Sequence, residues 1–241
     1  MQKYTNYRII YIDDASPDGT GNLVENYIQE HNLKNKITLI KNKENKGGLA
    51  NLYYAATLCD DNEIMVHLDG DDWLAHENVL AVLNKVYTNP NVWMTYGQFQ
   101  HYPDAKPGYC KPFPLSVISK NKFREYRWIT HHLKTCFVWL FKTIKIEDLQ
   151  TNGNFIPSSW DQAFMLPMLE MARERIKFIP QLLYIYNRAT PFNDDKVNST
   201  LQKECAMMIK KQPKYQRLQE KPQTTQILSN NSLSDLSLSK E

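Results

Sequence analysis

The sequence predicts an α/β fold with a mainly parallel sheet flanked by helices. Short β-branched or apolar runs alternate with segments whose apolar residues recur at helical spacing. Stretches rich in Asp, Gly, Asn and Ser separate them, and two of these turns, each directly after a predicted strand, are crowded with aspartates. Strands and helices alternating at this length make βαβ units. Ligands of such open sheets bind at the carboxyl ends of the strands.

Taken in order, Arg8-Ile9-Ile10-Tyr11-Ile12 is a strand, because β-branched side chains suit a pleated surface. Asp13 to Thr20 is a turn, and Leu23, Val24, Tyr27 and Ile28 mark a helix. Ile37 to Ile40 forms a second strand, Asn45-Lys46-Gly47-Gly48 a loop, and Leu49, Leu52, Tyr53 and Ala56 a second helix. Ile64 to Leu68 is a third strand that runs into Asp69-Gly70-Asp71-Asp72. Val79 to Val86 predicts a helix and Val92 to Tyr96 a strand. Pro103, Pro107, Pro112 and Pro114 imply an irregular excursion over 98–119, where loops of this kind often meet a second substrate. Phe123 to His132 reads as helical, and 135–146 suits either strand or helix. Ser158-Ser159-Trp160-Asp161 starts a helix that Pro167 should kink or divide. Leu182 to Tyr186 is the last predicted strand, followed by a polar loop. The expected organisation is a catalytic unit over 1–200, a helical extension over 201–220 and a disordered tail over 221–241.

The bulk properties narrow the function classes. At 241 residues with 42% hydrophobic and 23% charged residues, the chain is of ordinary globular composition. A net charge of +3 is too small to argue for nucleic acid. Cys59, Cys110, Cys136 and Cys205 show no C-x-x-C spacing, so neither a zinc site nor a redox pair is suggested. With no signal-like N-terminus and no apolar run long enough for a bilayer, reduced thiols and a cytoplasmic location are the expectation. Lys203, Lys210, Lys211, Lys214 and Arg217 form a solvated face; weak peripheral membrane contact is the minority alternative.

The acidic turns carry the chemistry. Asp69, Asp71 and Asp72 lie within four positions and repel one another unless a cation sits between them. Hard divalent ions prefer oxygen sites of this kind, although a solvated turn would use the same residues. Asp13 and Asp14 suit either ligand contact or a helix cap, and Asp161 either chemistry or a favourable place beside a helix N-terminus. His67 reads as core, and His131-His132 as a helix surface.

Tyr11-Ile12-Asp13-Asp14-Ala15-Ser16-Pro17-Asp18-Gly19-Thr20 resembles the strand-and-turn motif of family 2 glycosyltransferases of the GT-A fold. Asn45-Lys46-Gly47-Gly48 resembles that family's N-x-G segment, and Leu68-Asp69-Gly70-Asp71-Asp72 its D-x-D-D metal motif. Trp160-Asp161 sits where the family places its E-D or W-D pair, and Tyr186-Asn187-Arg188 resembles its closing Y-x-R. The order and spacing of these motifs, over roughly Arg8 to Ser199, are specific where each alone is weak.

The resemblance implies a GT-A, Rossmann-like fold and a hexosyltransferase-type enzyme. Its donor would be a nucleotide sugar, most often a UDP-sugar, with Mg²⁺ or Mn²⁺ as cofactor. The acceptor, a glycan, lipid or protein, stays open, and its choice is expected to lie in 98–135. By position, Asp13, Asp14 and Asn45 would lie at the nucleotide, Asp69 at the ribose or a metal-bound water, and Asp71 and Asp72, with Asp69, at the metal. Arg188 would clamp the diphosphate, and Asp161 would deprotonate the acceptor in an inverting transfer. The family's first strand and helix have no counterpart, since only seven residues precede Arg8; the catalytic unit is expected to be N-terminally truncated. The family's metal-binding histidine near Tyr186 has no match either. The rival readings are an inactive nucleotide-sugar binding module, a nucleotidyltransferase and, disfavoured by Ser16, a haloacid-dehalogenase-type phosphatase.

Overall fold

The computed structural model describes residues 2–191 and 193–223. Nine strands occur among them: β1 (Ile9–Asp13), β2 (Ile37–Lys41), β3 (Ile64–His67), β4 (Trp73–Leu74), β5 (Met94–Tyr102), β6 (Lys134–Phe137), β7 (Gln150–Thr151), β8 (Asn154–Phe155) and β9 (Ile176–Asn187). The helices are α1 (Thr20–Glu30), α2 (Gly48–Thr57), α3 (Val79–Tyr87), α4 (Leu115–Ser119), α5 (Val138–Lys142), α6 (Trp160–Ala172), α7 (Asp194–Val197) and α8 (Ser199–Lys211). The first three predicted strands and two predicted helices stand where the β-branched runs and helical stripes put them.

The sheet is mixed. β1 and β2 form a parallel pair, and a five-stranded sheet has the order β3-β6-β5-β9-β4. Its longest pairing, β5 with β9, is parallel, while β3–β6, β5–β6 and β4–β9 are antiparallel. Among the described residues no ladder joins β1 to β3. Instead Arg8, just before β1, donates to Glu63 Oε1 and Oε2 (3.0 and 2.7 Å) and to the Leu58 carbonyl (2.9 Å). Both strands remain only half-buried over most of their length, whereas β5 begins fully buried.

α6 is the core helix. From Ala163 to Ala172 every residue is buried, against β-strand, α2 and α5 side chains such as Leu52, Tyr53 and Phe141. Pro167 does not divide it, because packing on all sides holds the helix where the one missing N–H would loosen it. Two other expectations are corrected and one open reading is resolved. Residues 123–132 form turns and irregular backbone rather than a helix. Arg124 is drawn inward there by a buried ion pair with Glu170 (Nε–Oε1 2.7 Å) and a bond to the Ile209 carbonyl, which hold the turn in place. The ambiguous 135–146 stretch is both strand and helix, β6 then α5. The helix predicted in 201–220 ends at Lys211, and the remainder to 220 is irregular. Of the predicted tail, 224–241 lies outside the described residues.

Among the described residues no helix is long and apolar enough to cross a membrane.

Candidate active site

β4 positions the acidic turn. Trp73 and Leu74 pair with Ile185 and Tyr184 of β9, and Ala75 N–H donates to the Leu183 carbonyl, so residues 69–72 are pinned over the end of the sheet. The Asp72 side chain turns inward: Oδ2 accepts from Tyr184 O–H (2.6 Å) and Oδ1 from Asn187 N–H (2.6 Å). Burial pushes its carboxyl up to about 6, with the charges of Asp69 and Asp71 adding to the effect against those two bonds. Burial likewise raises Tyr184, which therefore stays a hydroxyl donor. Asp71 is exposed, and the partial desolvation of its carboxyl, then the charge of Asp69, raise it.

Asp69 follows β3. His67 Nε2 lies 3.2 Å from Asp69 Oδ1, and His132 Nε2 lies 3.6 Å from Oδ2. Burial alone would raise its carboxyl, but His67 and the Lys134 ammonium outweigh it, and Asp69 is held below the usual carboxylate range. His132 is buried and stacked flat on Tyr184, with ring centroids 4.2 Å apart. Burial and then Lys134 hold His132 well below its ordinary value, so the ring is neutral, the form a metal requires.

Asp69, Asp72 and His132 each present a ligand atom within 4.8 Å of the other two. Two carboxylates and a neutral imidazole fit a divalent cation, and the nitrogen donor suits a transition ion such as Mn²⁺ better than Mg²⁺. The structure thus brings Asp69 and Asp72 together, leaves Asp71 outside the cluster, and adds His132.

Asp161 opens α6. Its Oδ1 accepts from Gln162 N–H (2.9 Å), and Lys134 Nζ lies 3.9 Å from Oδ2. Burial raises the Asp161 carboxyl and Lys134 opposes it. Lys134 reaches both aspartates because β6 pairs with β3 in a register that sets Lys134 opposite His67. Asp161 lines a cleft of about 490 Å³ that also takes in Tyr109, Trp128, Tyr186 and Arg188. Arg188 is thereby placed on the Asp161 cleft rather than in the acidic cluster, and its N–H donates to the Tyr102 carbonyl (2.8 Å).

The first acidic turn interlocks with the 45–48 loop. Asp14 Oδ1 accepts from Lys46 N–H (2.9 Å) and Asn42 Nδ2 (2.7 Å), and Oδ2 from Gly47 N–H (2.8 Å). Gly47 has φ 86°, a conformation that glycine reaches without strain. Burial would raise the Asp14 carboxyl, but these bonds outweigh it and hold it low. Asn45 Nδ2 donates to the Asp14 carbonyl (3.4 Å). Asp13 is buried, and its Oδ1 has no hydrogen-bond partner among the described residues, so Asp13 keeps the free accepting capacity that Asp14 has lost to the loop. Trp160 links the two turns. Its indole lies where a Cβ on Gly48 would meet Cζ2 at 2.9 Å, and it meets the His67 ring edge-on at 5.2 Å.

Sequence reasoning missed His132, Lys134 and Tyr184, and read His67 as core. A lysine inside the apolar run 133–141 was the available signal, since lysine is seldom fully buried without a partner.

Comparisons with known proteins bear on the family and the fold. The model of Glycosyl transferase family 2 matches residues 1–147, more than half of the chain. Glycosyltransferase GlyG of Streptococcus pneumoniae serotype 4 is 25% identical over 201 residues, covering 78% of this chain and 63% of GlyG, so the chain spans less than two-thirds of that relative. TarS of S. aureus superposes with a TM-score of 0.54 at 16% identity, over 79% of this chain and 33% of TarS. A shorter TarS chain crystallised with UDP gives 0.52 at 15% identity, over 79% of this chain and 54% of that one. At such identities the likeness speaks for the fold alone, an α/β fold of the GT-A glycosyltransferase type. With a family match over more than half its length and that fold beneath it, the chain belongs to glycosyl transferase family 2.

Proposed function

We propose that this protein transfers a sugar from a nucleotide donor, a UDP-sugar, to an acceptor hydroxyl with inversion, assisted by a divalent cation. The observation that carries the reading is Lys134, a buried cation 3.9 Å from Asp161 and close enough to Asp69 to lower its pKa. It supports a reading in which Asp161, on the cleft, and Asp69, in the group with Asp72 and His132, belong to one site.

In this reading Asp69, Asp72 and His132 hold the ion, and exposed Asp71 adds negative charge beside them. The bound ion, Mn²⁺ or Mg²⁺, supplies positive charge against the departing diphosphate. Asp13, Asp14 and Asn45 form the nucleotide end, with Asp13 offering the accepting oxygen and Asp14 holding the loop. Arg188, at the cleft, adds a cationic contact to the diphosphate side. Asp161 takes the proton from the acceptor hydroxyl as that oxygen bonds the anomeric carbon; the bond from that carbon to the diphosphate oxygen breaks, and the electron pair leaves with the nucleoside diphosphate. One carboxylate suffices, because the leaving group departs as a stabilised anion and needs no proton.

The TarS chain bound to UDP supports a uridine donor. The direct test is release of UDP from a panel of UDP-sugars with Mn²⁺ present and absent. Mn²⁺-dependent release from one donor is the expected result; none from any donor, with no Mn²⁺-dependent UDP binding, would overturn the reading. A second reading, a module that binds the donor without turnover, draws on the separation of β1–β2 from the main sheet. Tight UDP binding with no release from any donor would select it.

A further inference from the structure

We infer that the acceptor is a carbohydrate, seated in the cleft over Asp161 between Trp128 and Tyr109 on one side and α8 on the other. The inference rests on the sugar-transfer reading and chooses among the glycan, lipid and protein acceptors that reading allows.

The chemistry of the cleft wall makes the choice. Ala206 is its single aliphatic residue among the described ones, so an acyl chain would find no apolar channel. Aromatic rings are plentiful instead: Trp128 is half-buried and packed on the core, and Tyr109 is 48% exposed. The flat C–H face of a pyranose covers an aromatic face, while its rim of hydroxyls needs donors and acceptors at the edges. The cleft has those edges. Gln162 Oε1 and His131 Nδ1 are both buried without a hydrogen-bond partner among the described residues, and both residues line it. Buried polar atoms of this kind are expensive to leave unpaired, and sugar hydroxyls would satisfy them. A volume of about 490 Å³ lies within the range of small-ligand pockets. An extended peptide would instead seek a free sheet edge; among the described lining residues only His101 and Tyr186 belong to strands, and they pair with each other in β5–β9.

The α8 wall, Gln202 and Lys203, lies beyond residues 1–147 matched by the family. Acceptor choice therefore draws on both parts of the chain: Trp128, Tyr109 and His131 lie within the matched residues, and Gln162 and the α8 wall lie beyond them.

The experiment measures UDP release from the active UDP-sugar with Mn²⁺, alone and with three acceptor probes: methyl glycosides of common hexoses and N-acetylhexosamines with their disaccharides, a Ser/Thr peptide, and a long-chain alcohol. The expected result is release stimulated by a saccharide and not by the other two. Trp128→Ala should then raise the saccharide KM roughly tenfold or more, Trp128→Phe should restore most of it, and Lys203→Ala on the exposed helix face should raise it more modestly. Stimulation by the peptide or the alcohol instead, by no saccharide of the panel, or a saccharide KM unmoved in Trp128→Ala would overturn the inference while leaving sugar transfer intact. Absence of release from every donor would overturn the sugar-transfer reading itself, and the inference with it.

Discussion

Lys134 sets the charge balance of the site. It is 3% exposed, and its ammonium lies against Asp161 on the cleft and near Asp69 of the Asp69–Asp72–His132 group. In the proposed transfer Asp161 must be ionised to accept a proton, yet burial raises its pKa; Lys134 offsets part of that rise. The acidic limb of the kcat/KM profile should therefore lie above the ordinary carboxylate range. Lys134→Met should move it to still higher pH, because the opposing charge is gone. A limb that stays put in the variant would show that Lys134 does not act on the base. The cation cluster behaves differently. Asp72 sits at about 6 against an ordinary 3.8, so the folded protein binds this proton more tightly than the unfolded chain. In the metal-free protein its contribution to stability falls as pH rises from about 3.8 to about 6 and is level above that. Cation binding needs the carboxylate, so Mn²⁺ affinity should fall as pH drops through about 6, with proton uptake and release visible in calorimetry across buffers. His132→Gln should weaken Mn²⁺ binding by at least roughly tenfold, in line with the loss of even supporting groups at metal sites. Equal affinity in the variant would remove His132 from the ligand set.

At the scale of elements, Trp160 couples the α2 N-terminus to the transfer site. A methyl group on Gly48 would meet the Trp160 ring at 2.9 Å, closer than carbon atoms tolerate. Gly48→Ala should displace the indole, and with it the adjoining Asp161, at a cost of about 1–3 kcal/mol from overpacking. Thermal unfolding and transfer rate should both fall; retained activity would mean that the ring moves without carrying Asp161. Such couplings mark where sequence reading stops. β1, β2 and β3 are legible because β-branched runs declare themselves locally, and the start of α6 because Ser158-Ser159-Trp160-Asp161 is a local helix-start pattern. Lys134, His132 and Tyr184 reach the acidic turn only through the β3–β6 and β4–β9 registers, which join residues far apart in the chain. His131-His132 is visible as a pair, but 123–132 carries a helical pattern, and nothing local reveals that the Arg124–Glu170 pair holds that backbone in turns.

Across the whole molecule, the segment after α8 is tied to the body of the protein at several points, and one of them is a buried ion pair. Glu170 is fully buried in α6 and holds Arg124 and the Tyr215 N–H (2.9 Å), while Arg124 also donates to the Ile209 carbonyl. The same α8 forms a wall of the transfer cleft, so this pair ties C-terminal packing to the site. Arg124→Leu leaves a buried carboxylate uncompensated and should cost about 3–5 kcal/mol in denaturant unfolding. The double variant with Glu170→Leu should recover much of that loss; no recovery would show that the arginine acts by packing alone.

The claim that organises the site is that Asp161 deprotonates the acceptor while the Asp69 cluster holds the leaving group. It is tested most directly by comparing sugar transfer and Mn²⁺–UDP binding in the parent and in Asp161→Asn, a change that keeps the side chain's shape and removes its basicity. The account predicts a fall in transfer rate of about 10²–10⁴-fold with Mn²⁺–UDP affinity retained. A transfer rate within a few-fold of the parent would contradict it.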